Sequence, residues 1–291
     1  MISGGLPLIS KTLTEEEIIE RYIKSKATLS KVTLCNYQKL LLQFLRYCHN
    51  HGLKFFKTTE TDVAGFISQF EYKSTKDSYK TILNIFYKWC FKHHLVDSNP
   101  VEDIVVNNGK KNKVELMREI DFKKILTKCE GLREITLVSM FWYTGVRAKE
   151  LRSLRIQDID MDRGLIFISN SKTTSGYRTL PIHPNFRKLL EKYLKRRIGI
   201  DTDLPWIFLT KRGTRFHDRT LVHFVTQLQK DLELRFTAHD FRRAFVTRLY
   251  RKTKDLVLCQ RLAGHDSIKT TRRYIIDDMQ EHMRKFNALN F

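Results

Sequence analysis

Residues 236–275 read FTAHDFRRAFVTRLYRKTKDLVLCQRLAGHDSIKTTRRYI. Apolar spacing predicts three helices here, over His239–Arg251, Asp255–Leu262 and Ser267–Tyr274. Residues three apart share a helical face, so His239 and Arg242 point the same way. Gly264-His265 reads as the start of the third helix, and Tyr274 lies nine residues beyond His265 within Thr271-Arg272-Arg273-Tyr274-Ile275. Each of these groups has an ordinary use. His239 can cap its own helix, and Tyr274 can pack beside Ile275 and Ile276. Imidazole, guanidinium and phenol gathered in one stretch point instead to chemistry.

Two more polar patches lie upstream. In Tyr143-Thr144-Gly145-Val146-Arg147, Gly145 breaks a helix predicted over Leu132–Thr144. An Arg just past such a break can be aimed inward, with Glu150 to brace it. Leu165–Ser169 and Tyr177–Leu180 read as the strands of a hairpin. Lys172 stands at its tip, in the polar turn Ser171–Gly176, where it can reach into a groove. Further helices are predicted at Arg118–Cys129, Ala148–Leu154, Phe186–Arg196, His217–Asp231 and Asp278–Phe286. Ahead of these, four helices with short joints make a bundle. The first follows Thr14 with an acidic first turn and runs to about Ala27. The second starts near Ser30, the third spans Thr61–Tyr72 and the fourth Thr75–His93. Residues 107–114 gather Asn, Gly and Lys and read as a linker. The expected organisation is a helical domain over 1–106 and a second domain over 115–291. The class is mostly α with a small antiparallel sheet.

Lys plus Arg number 53 against 32 Asp plus Glu, a net charge of +21. The excess is uneven, +4 over residues 1–110 and +17 over 111–291. Such a surplus favours a polyanionic partner, bound first through its phosphates. It is spread over many elements, which argues against a basic amphipathic membrane helix. No apolar run approaches the roughly 18 residues of a membrane span, and MISGGLPLIS has no secretory pattern. Five scattered Cys fit a reducing, cytoplasmic compartment. Cys48, His49 and His51 end one helix, and Cys90, His93 and His94 end another. Their spacing is not that of a zinc finger, and helix packing with polar ends accounts for them.

Taken together, the patches suit work on a phosphodiester. Two Arg can hold the nonbridging oxygens through a pentacoordinate transition state. A phenol can attack phosphorus. A Lys can protonate the leaving oxygen, and a His can act as acid or base. In order and wording the chain resembles the tyrosine site-specific recombinases, or phage-type integrases, and especially their compact Xer-like and transposon-resolvase members. The family order of Arg, Lys, His-x-x-Arg, His or Trp, then Tyr is matched by Arg147 in TGVRAKEL and Lys172 in SKTTSG. It continues with His239 and Arg242 in AHDFRRAF, then His265 and Tyr274 in LAGHDSIKTTRRYI. Glu150 matches the supporting acidic residue after the first Arg. The chain departs from the family in having Asp240-Phe241 where a Leu is frequent, and Ala263 before Gly264-His265.

The resemblance implies a four-helix, SAM-like core-binding domain and a catalytic domain that close around duplex DNA. Tyr274 would form a 3′-phosphotyrosyl link and release a 5′-hydroxyl. Four protomers would act on two inverted-repeat core sites through a Holliday junction. Free in solution the chain would be monomeric or weakly associated, and accessory DNA-bending proteins would be optional partners. Neither a cofactor nor a metal is required, and the place of action is the cytoplasm, at the nucleoid or a mobile element. The segment after Tyr274 would dock on a neighbouring protomer or finish its own domain core. The short stretch ahead of Thr14 favours resolution-type sites over arm-dependent integration. Two other readings share the charge pattern: a type IB topoisomerase relaxing DNA as a monomer, and a non-enzymatic duplex-binding protein.

Overall fold

Thr14 starts the first helix. Its hydroxyl accepts the Glu17 amide, and its own amide donates to the Glu17 carboxylate at 2.8 Å. Two amides that a helix start leaves unpaired are thereby satisfied. The computed structural model describes residues 13–107, 109–110, 116–169, 177–200, 202–272 and 287. The chain divides into two compact units, Met1–Val114 and Glu115–Phe291.

The first unit holds α1 (Glu15–Ser25), α2 (Lys31–Asn50), α3 (Glu60–Ser68) and α4 (Lys73–Lys92), with a short 3-10 turn at Phe55–Lys57. Its core is aromatic. Tyr22 meets Phe86 edge-on at 5.1 Å, and Phe44 packs on Phe66 at 4.9 Å. Tyr87 donates from this core to the Phe55 carbonyl at 2.8 Å. Apolar spacing alone carries the third helix to Tyr72. The chain leaves it after Ser68, and Phe70 turns to stack on Tyr79 at 4.3 Å. Cys48 and Cys90 are buried in the same core, and burial pushes the Cys48 thiol up to about 12. His49 hydrogen-bonds Glu15 at 2.6 Å, and His93 lies against the Trp89 ring. Gly109 abuts α4: a Cβ there would sit 2.6 Å from the Lys73 amide nitrogen.

The second unit holds α5 (Glu119–Thr127), α6 (Leu132–Thr144), α7 (Ala148–Ser153), α8 (Pro184–Ile198), α9 (Asp218–Leu232), α10 (Ala238–Thr253), α11 (Leu256–Ala263) and α12 (Ile268–Arg272). Its small antiparallel sheet has the order β1 (Ile159–Asp160), β2 (Leu165–Ile168), β3 (Arg178–Pro181). Ile166 sits between Ile159 and Leu180 in register. The two-stranded hairpin read from the sequence thus gains a third strand. β1 is only two residues long, too short to show alternation.

α6 is the axis of this unit. It is apolar on nearly all sides and buried almost throughout, with α8 and α10 packed on it. Trp142 lies flat on Phe122 at 4.4 Å, and the Arg248 guanidinium covers the indole at 3.5 Å. Phe141, Phe186, Phe208 and Phe241 fill the space around it. Among the described residues no helix is long and apolar enough to cross a membrane.

Candidate active site

α6 ends at Gly145 for two reasons. Its φ is +61°, which L side chains adopt poorly, and a Cβ would lie 2.4 Å from Cδ1 of Phe245. The sharp stop lets Arg147 begin α7 two residues later. The Glu150 carboxylate closes that helix start: it accepts the Arg147 amide at 2.8 Å and the Arg147 guanidinium at 2.7 Å. Glu150 is 4% exposed, whereas the Arg147 side chain retains 37% of its surface.

A second arginine holds the other side of that carboxylate. Arg178 of β3 makes two parallel bonds to it, at 3.1 and 3.0 Å. Sequence reasoning missed this residue. The signal was nonetheless present: Leu180 is buried and Thr179 exposed, so alternation turns Arg178 inward with Leu180. An inward charge on a strand needs a buried partner. Burial acts to raise the Glu150 carboxyl, but the hydrogen bonds and charge of Arg178, helped by Arg147, hold it below the ordinary range.

α10 brings the next pair. Thr237 caps it, its amide and hydroxyl both donating to Asp240, so His239 is not needed as a cap. Arg242, 2% exposed, donates to the Gly145 carbonyl at 2.8 Å and to the Ala263 carbonyl. His239 stays at the exposed first turn. Its local burial, then Arg243 and Arg242, lower its pKa against a weaker pull from Asp240.

Gly264-His265, read from the sequence as a helix start, instead terminates α11. Gly264 is the left-handed C-cap, with φ +65°. Apolar periodicity cannot tell the end of one short helix from the start of the next when only four residues, Gly264 to Ser267, join them. The carbonyls of this helix end are fully assigned. Gln260 and Arg261 accept from the amides of Gly264 and His265. The next three each accept from an arginine: Leu262 from Arg178 at 2.7 Å, Ala263 from Arg242, and Gly264 from Arg147 at 2.6 Å. Cations at a helix C-terminus are favoured by its dipole and by its unpaired carbonyls. Three arginines from distant parts of the unit thus converge on one turn. Two of them, Arg147 and Arg178, share the Glu150 carboxylate, and three guanidiniums against that one charge leave a positive field for an anion.

His265 follows this turn directly. It is 4% exposed and hydrogen-bonds Thr271 through Nδ1 at 2.9 Å. Burial first, then Arg242, Arg147 and Arg178, bring its pKa down to about 3, so the ring is neutral near pH 7. Arg147, Glu150, His239, Arg242 and His265 are therefore gathered in one place. Lys172 and Tyr274 lie outside the described residues, as does the segment after Tyr274 except Asn287. Among the described residues no group of three or more His, Cys, Asp or Glu is placed to hold a metal ion.

Comparison with known proteins agrees with this fold. The model of the phage integrase family matches residues 111–281. Tyrosine recombinase XerC of Lactobacillus delbrueckii subsp. bulgaricus is 25% identical over 284 residues, covering 92% of this chain and 96% of the relative. Among solved structures, the Tn1549 transposon integrase (residues 82–397) in complex with circular intermediate DNA superposes with a TM-score of 0.79 at 17% identity, covering 96% of this chain and 100% of that one. The XerH site-specific recombinase bound to palindromic difH substrate gives a TM-score of 0.71 at 24% identity, covering 95% and 85%. Both structures establish likeness of fold.

Proposed function

Because this chain belongs to the phage integrase family, we propose that it cuts and rejoins duplex DNA through a covalent phosphotyrosyl intermediate, with Tyr274 as the nucleophile. One observation carries the reading. Arg147 and Arg242, 95 residues apart in sequence, bind adjacent carbonyls of one helix end, immediately before His265. Two guanidiniums in one place suit the nonbridging oxygens of a phosphodiester, whose charge grows in the transition state.

In this reading the Tyr274 oxygen forms a bond to phosphorus and the bond to the 5′ oxygen breaks. Lys172 gives that leaving oxygen a proton, and a neutral imidazole, His239 or His265, accepts the phenol proton. A 5′-hydroxyl from the partner strand then attacks the phosphotyrosine. One phosphodiester replaces another, so no nucleotide hydrolysis is needed. Two such exchanges between four protomers on two inverted-repeat sites proceed through a Holliday junction. End-to-end similarity to XerC relatives supports a compact Xer-like recombinase of 1–106 and 115–291 domains with a short joint. The segment after Tyr274 reaches a neighbouring protomer and couples assembly to cleavage.

The test is a suicide duplex nicked near the cleavage site. Wild-type protein should form a covalent adduct on denaturing gels. Tyr274→Phe should bind the same DNA and form none. An adduct at wild-type yield with the variant removes Tyr274 as nucleophile. Lys172→Ala should cleave slowly and recover on a 5′-bridging phosphorothiolate, because sulfur leaves without a proton.

A further inference from the structure

Among the described cations of the site, Arg178 is the most deeply placed after Arg242. Its side chain is 5% exposed, against 37% for Arg147. Burying a guanidinium is unfavourable unless its donors are satisfied. Here they reach two structures at once: both Glu150 oxygens and the Leu262 carbonyl. Glu150 in turn holds both the backbone amide and the guanidinium of Arg147. The chain of contacts runs from Leu262 through Arg178 and Glu150 to Arg147, and closes at Gly264.

We propose that Arg178 is a positioning residue for strand cleavage, which fixes Glu150 against Arg147 and holds the last turn of α11, from which His265 projects. The inference rests on the transesterase reading above. A carboxylate can aim Arg147 only while ionised. Among the described residues, the groups bonded to Glu150 are Arg147, at the start of its own helix, and Arg178, from β3. His265, beyond α11, lies within electrostatic reach of both arginines, and of Arg242 and His239 on α10, and is neutral. Burial opposes the charge on Glu150, and Arg178 is first among the groups that overcome it. Without Arg178, burial should gain over the remaining pull of Arg147, raise the Glu150 carboxyl and loosen its hold on Arg147.

The experiment compares full-length wild type, Arg178→Gln, Glu150→Gln and the double variant. It measures half-site binding, suicide-duplex cleavage and urea unfolding between about pH 5.5 and 9. Arg178→Gln should bind DNA nearly as wild type does. Near the acid end it should cleave on the order of 10²-fold more slowly, the scale of a misplaced reacting group. Its cleavage should then recover as pH rises and Glu150 loses its proton. Its stability should move the opposite way: a raised carboxyl pKa in the folded state contributes stability at low pH that is lost as pH rises through it. Wild type, with a lowered Glu150, should show neither trend. The double variant should be slow and show neither trend.

Wild-type cleavage by Arg178→Gln at every pH overturns the proposal, and so does a slow variant with no recovery or a recovery that survives Glu150→Gln. If Arg178→Gln does not fold, Arg178→Lys decides. A folded Lys variant with normal DNA binding and slowed cleavage supports the assignment, and wild-type cleavage overturns it. Failure of the wild type to form any adduct sinks the transesterase reading instead. The opposed stability trends then still judge the Arg178–Glu150 coupling.

Discussion

At the scale of single residues, the two arginines read from the sequence differ in what they support. Arg242 is buried and donates to two backbone carbonyls of different segments. Replacing it with Gln should lower stability by on the order of 3 kcal/mol, since both buried acceptors lose a charged donor. Arg147 is more than a third exposed, and Arg147→Gln should cost about 1 kcal/mol or less. If they hold the phosphate as proposed, both should slow cleavage by on the order of 10²-fold while weakening binding far less, because the charge on that phosphate grows in the transition state. Urea unfolding with parallel binding and cleavage titrations checks this; cleavage that falls only in proportion to binding makes them ordinary phosphate contacts. His265 adds a pH signature. Its folded pKa of about 3 lies below the unfolded value, so the unfolded chain binds the extra proton. Its contribution is complete above about pH 6.5 and is lost as pH falls, with a slope approaching about 1.4 kcal/mol per pH unit. His265→Asn should flatten the stability curve between about pH 4 and 6, and an unchanged slope refutes the assigned burial.

At the scale of elements, the site depends on where two helices stop. α6 stops at Gly145 and α11 at Gly264, both left-handed. The Gly145 carbonyl then receives Arg242, and the Ala263 and Gly264 carbonyls receive Arg242 and Arg147. Gly145→Ala meets two obstacles at once, the positive φ and the Phe245 ring 2.4 Å away. We expect a loss of about 2–3 kcal/mol, with cleavage reduced beyond the unfolded fraction because Arg147 is displaced. Phe245→Ala in the same chain should relieve the clash but not the φ cost, and so restore only part of the loss. Thermal unfolding of the single and double variants separates the two terms. Full stability of Gly145→Ala alone would show that the helix end tolerates a side chain there.

For the whole molecule, charge is the property that acts at long range. The +17 carried by residues 111–291 predicts DNA affinity that falls steeply with salt. The second unit has its own core around Phe141, Trp142 and Phe241. A fragment of residues 111–291 should therefore keep most of the slope of log affinity against log salt measured for the full chain. A nearly flat slope in the fragment would place the DNA face elsewhere. The first unit, with +4 over residues 1–110, should add affinity with little added salt dependence.

The sequence by itself determined the helical class, the small sheet, and the residues whose chemistry is local: the helix cap at Thr14, the break at Gly145, and the His239/Arg242 face. Those are short-range matters of hydrogen-bond capping, backbone angle and helical period, and a single chain segment contains all of their causes. It also carried the candidates for the reacting groups, because the residue types that a phosphoryl transfer calls for can be read letter by letter. Tertiary structure decided the rest. Arg178 looked like one basic residue among 53 until the fold laid β3 beside Glu150. Gly264-His265 looked like a beginning until the carbonyls before it met arginines from three other segments. The partners of a buried charge come from residues far away in the chain, and only packing, which must satisfy every donor and acceptor it removes from water, selects them.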